Sequence, residues 1–143
     1  MTADFQINRR SSHRLRLPGK LKTRGAALET LICNELRVYN EISRKDRRIS
    51  YYRTPAGVEV DFIVETAGRR VGRLPRVAAI EVKRAERWDR SWEKPLRSLA
   101  ESGGVKVDRK VGIYCGSRSY NFDGLQVWPV REFVKALHAG EVF

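Results

Sequence analysis

Cysteine and histidine are scarce in this sequence, which has two of each. Cys33 and Cys115 lie far apart and have no metal-type spacing, so two reduced, buried thiols in a cytosolic protein are expected rather than a disulfide or a zinc site. His13 and His138 are isolated and suggest no ligand set. No apolar run approaches the length of a membrane span, and no signal peptide opens the chain, so a cytoplasmic protein without a membrane partner is expected. There is no internal repeat and no low-complexity tract. Acidic residues are the minority: 17 against 29 lysines and arginines, a formal charge of +12 and a sequence pI near 10.3. A field of that sign draws polyanions, and a domain this basic is a nucleic-acid candidate. General solubility, or loose adhesion to acidic surfaces, is the plainer alternative.

A length of 143 residues with 41% hydrophobic content suits one globular domain with a real core. Residues 1–23 read as a flexible basic arm, with Arg9, Arg10, Arg14, Arg16, Lys20 and Lys22 against Asp4, and with Pro18 and Gly19 interrupting any periodicity. Such an arm either touches phosphates non-specifically or is a disordered tail. The domain proper spans 24–143.

The chemistry concentrates between residues 58 and 83. Val58-Glu59-Val60-Asp61-Phe62-Ile63-Val64-Glu65 and Val77-Ala78-Ala79-Ile80-Glu81-Val82-Lys83 both read as short strands, with Gly and Pro in the loop between them. Period-two alternation puts Val58, Val60, Phe62 and Val64 on one face of a hairpin with Ala78, Ile80 and Val82, predicting one oily face. Asp61 and Glu81 fall on the opposite face, and Lys83 projects from the same side as Glu81. Carboxylates set in strands this apolar cost free energy unless something pairs with them. Two on adjacent strands can chelate Mg²⁺ and leave positions for water and a phosphate oxygen. Lys83 can then orient or deprotonate an attacking water, or stabilise charge growing on phosphorus. A solvated Glu-x-Lys with Asp61 in a salt bridge is the alternative.

Around the hairpin, Leu28, Leu31, Ile32, Leu36 and Tyr39 recur at helical spacing and predict a helix over 24–40. Glu29 sits at the edge of that stripe, partly desolvated and aimed at whatever the helix packs on: a third acid near the site, or an ordinary boundary glutamate. Residues 49–54 predict a strand, and Pro55-Ala56-Gly57 a tight turn. Arg53 either grips a backbone phosphate as a planar fork or pairs with Glu59 across the hairpin. Arg69, Arg70, Arg73 and Arg76 crowd the loop from Thr66 to Arg76, either as a phosphate-gripping rim beside the site or as a solvated loop. Ser91 can cap a helix over 92–101, with Pro95 in its first turn. Strands are expected at 110–115 and 125–128, a polar loop at 116–121, and a last helix from Pro129. The order is helix, three strands, helix, strand, strand, helix.

An acidic residue, a hairpin and then Glu-x-Lys resembles the active-site motif of the PD-(D/E)XK nuclease superfamily, with Val60-Asp61 at the Pro-Asp element and Glu81-Val82-Lys83 at the (D/E)XK element. The valine in place of proline is a mild departure, since that position is not a ligand. The resemblance implies an α/β (α+β) fold, a restriction-endonuclease-like αβββαβ core with a central mixed sheet flanked by helices. It implies a metal-dependent endonuclease acting on DNA and leaving a 5′-phosphate. Asp61 and Glu81 would hold Mg²⁺, for which Mn²⁺ can substitute, with the Val82 carbonyl a further ligand. Lys83 would assist the water, and Glu29, on the first core helix, the metal. The run Leu28-Glu29 to Glu35-Leu36, Tyr52-Arg53-Thr54, Glu59-Val60-Asp61-Phe62, Ile80-Glu81-Val82-Lys83 and Trp128-Pro129-Val130 with Phe133 is closer still to domain-of-unknown-function family 4143. That family usually follows an archaeal-type AAA ATPase module, which makes such an ATPase an implied partner; no GxxxxGK[ST] loop occurs in this sequence. Two other functions fit the same residues. One is a non-catalytic DNA-docking or oligomerisation module of an ATPase system. The other is a Holliday-junction-resolving nuclease, which would act as a homodimer.

Overall fold

The computed structural model describes residues 8–9 and 25–143. The basic arm expected over 1–23 lies outside the described residues, except that Asn8–Arg9 form a two-residue strand, β1. The chain continues through α1 (Gly25–Ser43), β2 (Ile49–Arg53), β3 (Glu59–Glu65), β4 (Arg76–Lys83), a 3-10 turn (Arg90–Glu93), α2 (Lys94–Glu101), β5 (Lys106–Tyr114), β6 (Tyr120–Phe122), β7 (Leu125–Pro129) and α3 (Val130–His138). The strands form one mixed sheet in the order β1-β2-β3-β4-β5-β7-β6. β1 to β4 run antiparallel, β4, β5 and β7 run parallel, and β6 returns antiparallel on β7. The fold is α+β, as the residue pattern predicts.

Both faces of the sheet are covered. Ile32, Cys33, Leu36 and Tyr39 of α1 and Phe133, Ala136 and Leu137 of α3 pack on Phe62, Val64, Ala78, Ile80 and Val82. Leu96 and Leu99 of α2 pack on Val60, Ile63, Val77, Ala79 and Tyr114. The single oily face expected of the hairpin is therefore corrected. β4 is apolar on both sides because helices sandwich it, as near-continuous apolar runs imply for strands paired in parallel. The parity expected of β3 also fails. Ser50 pairs with Ile63 but Tyr52 with Val60, so β3 carries an extra residue against β2. This bulge moves Val60 under α2 while Phe62 and Val64 stay beneath α1, and it re-aims the residue between them, Asp61.

Smaller differences have local causes. Leu31 is 44% exposed, outside the buried stripe of α1. Cys33 is buried as expected, but Cys115 is exposed because it follows the last residue of β5. The turn before α2 is capped by Asp89, whose carboxylate accepts the Ser91 N–H at 2.8 Å, so Asp89 rather than Ser91 is the cap. The loop expected over 116–121 contains the start of β6. Asp123 and Gly124, both with positive φ, form the two-residue turn that joins β6 to β7.

Candidate functional site

β3 and β4 pair from Glu65 opposite Val77 to Phe62 opposite Ile80, and then part. Continued regularly, the ladder would set Asp61 against Glu81. Instead the Asp61 carboxylate reaches across and accepts the Val82 N–H through Oδ2 at 2.8 Å, replacing a backbone acceptor. In a strand a residue's N–H and C=O share one edge, so the Val82 carbonyl faces this same opening. β4 meanwhile continues beside β5 as far as Lys83 opposite Tyr114. The site thus forms where two strands diverge, at the carboxyl ends of the parallel strands, where open α/β sheets place their ligands.

Glu81 is 4% exposed. Its Oε1 pairs with Lys83 Nζ at 2.8 Å, and its Oε2 is buried with no hydrogen-bond partner. Lys83 Nζ lies 5.8 Å from the centroid of the Trp92 ring. Burial and the neighbouring Glu81 charge lift the Asp61 carboxyl from 3.8 to about 7, against the opposing Val82 hydrogen bond. Burial likewise holds Glu81 above the usual glutamate range although Lys83 opposes it. Burial works against the Lys83 cation, but the hydrogen bond and charge of Glu81, with Asp61 and Glu29, leave its pKa above that of an ordinary lysine. Lys83 is therefore a fixed cation, suited to stabilising negative charge or orienting water rather than to taking a proton.

Glu29 is exposed, not partly desolvated as expected. It nevertheless precedes Ile32 by three residues, Cys33 by four and Leu36 by seven, so it shares the inward face of α1. That face overhangs the site, and the Glu29 charge acts on Asp61, Glu81 and Lys83 alike. Among the described residues no group of three or more histidines, cysteines or acids converges as a ready metal cage. Two carboxylates and a carbonyl remain. That hard, oxygen-only set suits Mg²⁺, which keeps several waters and takes one or two carboxylates. The unpartnered Glu81 Oε2 and the raised Asp61 carboxyl fit such an ion.

Four of the expected phosphate-binding arginines, Arg69, Arg70, Arg73 and Arg76, lie at the other end of the hairpin. The 66–75 loop closes the opposite end of the hairpin, four residue pairs from the level of Asp61 and Glu81, or about 13 Å along the strands. It is therefore not a rim beside the site. Arg69 pairs with Glu65 at 2.8 Å, and Arg76 with Asp108 at 2.9 Å. Arg70 and Arg73 are exposed in the loop. Arg53 pairs with Glu59 at 3.0 Å across the hairpin, the second of its two expected readings. Conversely, sequence reasoning gives Trp92 no part beyond opening a helix. It lies nine residues from Lys83, a spacing that carries no chemical signal, and only the folded turn brings the two together.

Among the described residues no helix is long and apolar enough to cross a membrane. Residues 24–133 match the family described as a domain of unknown function, DUF4143. No curated protein and no solved structure matches the chain.

Proposed function

The chain belongs to the DUF4143 family, and from its site we propose that it is a metal-dependent nuclease hydrolysing DNA phosphodiester bonds, with a restriction-endonuclease-like core. One observation carries the reading: Asp61 and Glu81 meet where β3 and β4 part, with Lys83 held against Glu81 at 2.8 Å. A formal charge of +12 supplies the attraction to a polyanion.

Asp61, Glu81 and the Val82 carbonyl would hold Mg²⁺. Bound there, the ion would activate a water and neutralise charge on a phosphate oxygen. The chain's own part follows from its residues. Asp61 must lose its proton, which its position near 7 makes easy at physiological pH. Glu81 holds the Lys83 ammonium in place. Lys83 remains charged and faces the negative charge that grows on phosphorus. Glu29 adds negative potential from α1, which favours a bound cation over an empty site.

The test is cleavage of plasmid, single-stranded and branched DNA with Mg²⁺, Mn²⁺ or EDTA. Wild type should cut only with metal. Lys83→Ala and Asp61→Asn should each lose at least about 100-fold in rate, the scale expected when one electrostatic group is removed. Equal cutting by the variants would overturn this assignment. Metal-independent, salt-sensitive binding without cutting would favour a DNA-docking module serving an ATPase.

A further inference from the structure

A line of aromatic rings starts at the candidate site and runs along the α2 side of the sheet. Trp92, beside Lys83, meets Trp88 edge to face at 5.3 Å. Trp88 meets Tyr114 at 6.2 Å, and Tyr114 meets Tyr120 at 6.3 Å. Tyr120 stacks on Phe122 at 5.3 Å with 17° between the rings. Tyr114 is 2% exposed and forms the backing, whereas Tyr120 on the edge strand is 37% exposed and Trp92 is half-buried.

The line is built, not incidental. A side chain at Gly112 would collide with the Trp88 ring, so the glycine makes the seat for that indole. The Trp88 Nε1–H donates to buried Glu93 at 3.3 Å, which fixes the ring's rotation. Glu93 also takes Arg97, and Arg97 donates to the Phe122 carbonyl at 3.0 Å, tying the 3-10 turn to β6. The Arg90 guanidinium lies 4.5 Å over the Phe122 ring. The Tyr114 hydroxyl donates to the Arg118 carbonyl at 2.6 Å and accepts the Arg118 N–H at 3.2 Å, which pins the loop after β5. Arg87, next to Trp88 in sequence, and Arg118 are both exposed.

Rings held on a rigid backing, flanked by cations and continuous with a phosphodiester site, are the components of a single-strand platform. Bases stack on the rings whatever their identity, while arginines follow the backbone. Paired bases in a duplex offer no free faces to such rings. We propose that this surface is a base-stacking platform, with Trp92 and Tyr120 the accessible rings, and that the substrate is DNA whose bases beside the scissile phosphate are unpaired. The inference rests on the nuclease reading for its link to cutting, but the platform itself binds without metal.

The experiment is therefore a binding measurement in EDTA, at two salt concentrations, using an oligothymidylate and a duplex of equal length. Wild type should bind the single strand at least about tenfold more tightly than the duplex. Trp92→Leu and Tyr120→Leu should each weaken single-strand binding by about tenfold, the scale of one lost stacking contact. They should leave duplex binding unchanged, and Trp92→Phe should restore most of the loss. The duplex measurement in each variant also reports whether the domain has kept its fold. Equal affinity for the two DNAs, variants that bind the single strand as wild type does, or no binding at all would overturn the platform. Failure of the nuclease reading would show separately, as single-strand preference without metal-dependent cutting.

Discussion

Glu81 and Glu93 are the same residue type at the same depth, 4% and 2% exposed, and they behave in opposite ways. Burial pushes both carboxyls upward. At Glu93, hydrogen bonds from Arg90, Arg97 and Trp88 outweigh burial and hold the carboxyl below the usual range. At Glu81 burial outweighs Lys83 and the Asp61 backbone N–H, one oxygen has no hydrogen-bond partner, and the carboxyl stays above the usual range. The far end of the β3–β4 hairpin repeats the Glu93 pattern on the surface. There Asp108 is raised by burial but more strongly lowered by Thr66 and Arg76. A carboxylate that serves only the fold carries its donors with it. One that is buried beside a second carboxylate, with an oxygen left unpartnered, keeps its carboxyl raised, the pattern that clusters at functional sites.

Mutation should pull the two glutamates further apart. Glu93→Ala leaves two arginines and an indole N–H without their acceptor. The arginines retain partial access to water, so the loss should fall near the low end for a broken buried pair, about 3 kcal/mol, read by denaturant titration. Glu81→Gln should be neutral or mildly stabilising under the same titration without metal, because it removes a poorly compensated charge. Equal losses at the two positions would erase the distinction.

The sign of pH dependence sharpens the contrast. Asp61 has a folded-state pKa of about 7, raised above 3.8. Its contribution to stability is therefore complete below about pH 3.8 and is lost as pH rises through about 7. Asp61→Asn mimics the protonated form at every pH. Three pKa units at 1.36 kcal/mol each set a ceiling of about 4 kcal/mol. Relaxation around a half-buried side chain brings the expected gain to about 2 kcal/mol at pH 8, vanishing near pH 4. A variant less stable than wild type at pH 8 would mean that Asp61 is a structural carboxylate after all.

Metal should reverse this for wild type only. At ten times its dissociation constant Mg²⁺ adds about 1.4 kcal/mol, or about 5 °C of melting temperature for a domain of this size. Because the ion binds the ionised pair, the shift should be present at pH 8, fade below about pH 7, and be absent in Asp61→Asn. A shift that persists at pH 5.5 would place the metal elsewhere.

The residue pattern made much of this legible. Val58 to Glu65 and Val77 to Lys83 announced the two strands that bear the site, and Asp61, Glu81 and Lys83 do meet. Alternation is a local rule, however, and the bulge opposite β2 is set by pairing with a strand about ten residues away in sequence, so the side on which Val60 falls was hidden. Asp123-Gly124 is a two-residue hairpin signal for β6, but the polarity of Gly116 to Asn121 masks the strand that precedes it. The burial of Glu93 was not legible. A glutamate among Arg90, Trp92 and Lys94 reads as surface until the 3-10 turn folds it inward. The charge of the 66–76 loop was plain, but its distance from the site depended on register, which composition does not encode.

That loop supplies the smallest expected effect. Arg69 reaches Glu65 through both Nε and a terminal nitrogen, at 3.0 and 2.8 Å, yet its side chain is 46% exposed. Water competes for the guanidinium, and the long side chain must be ordered to make the pair, so Arg69→Ala should cost about 0.2–1 kcal/mol. The loop closes the hairpin about 13 Å from the carboxylate pair, so a contact there should not change the rate of the chemical step. The variant should therefore match wild type in metal-dependent cleavage at saturating DNA, and any loss should lie in affinity and shrink as salt rises. A fall in the saturated rate would show that the far end of the hairpin governs how β3 and β4 part around Asp61, and that the two ends of the hairpin are coupled rather than separate in function.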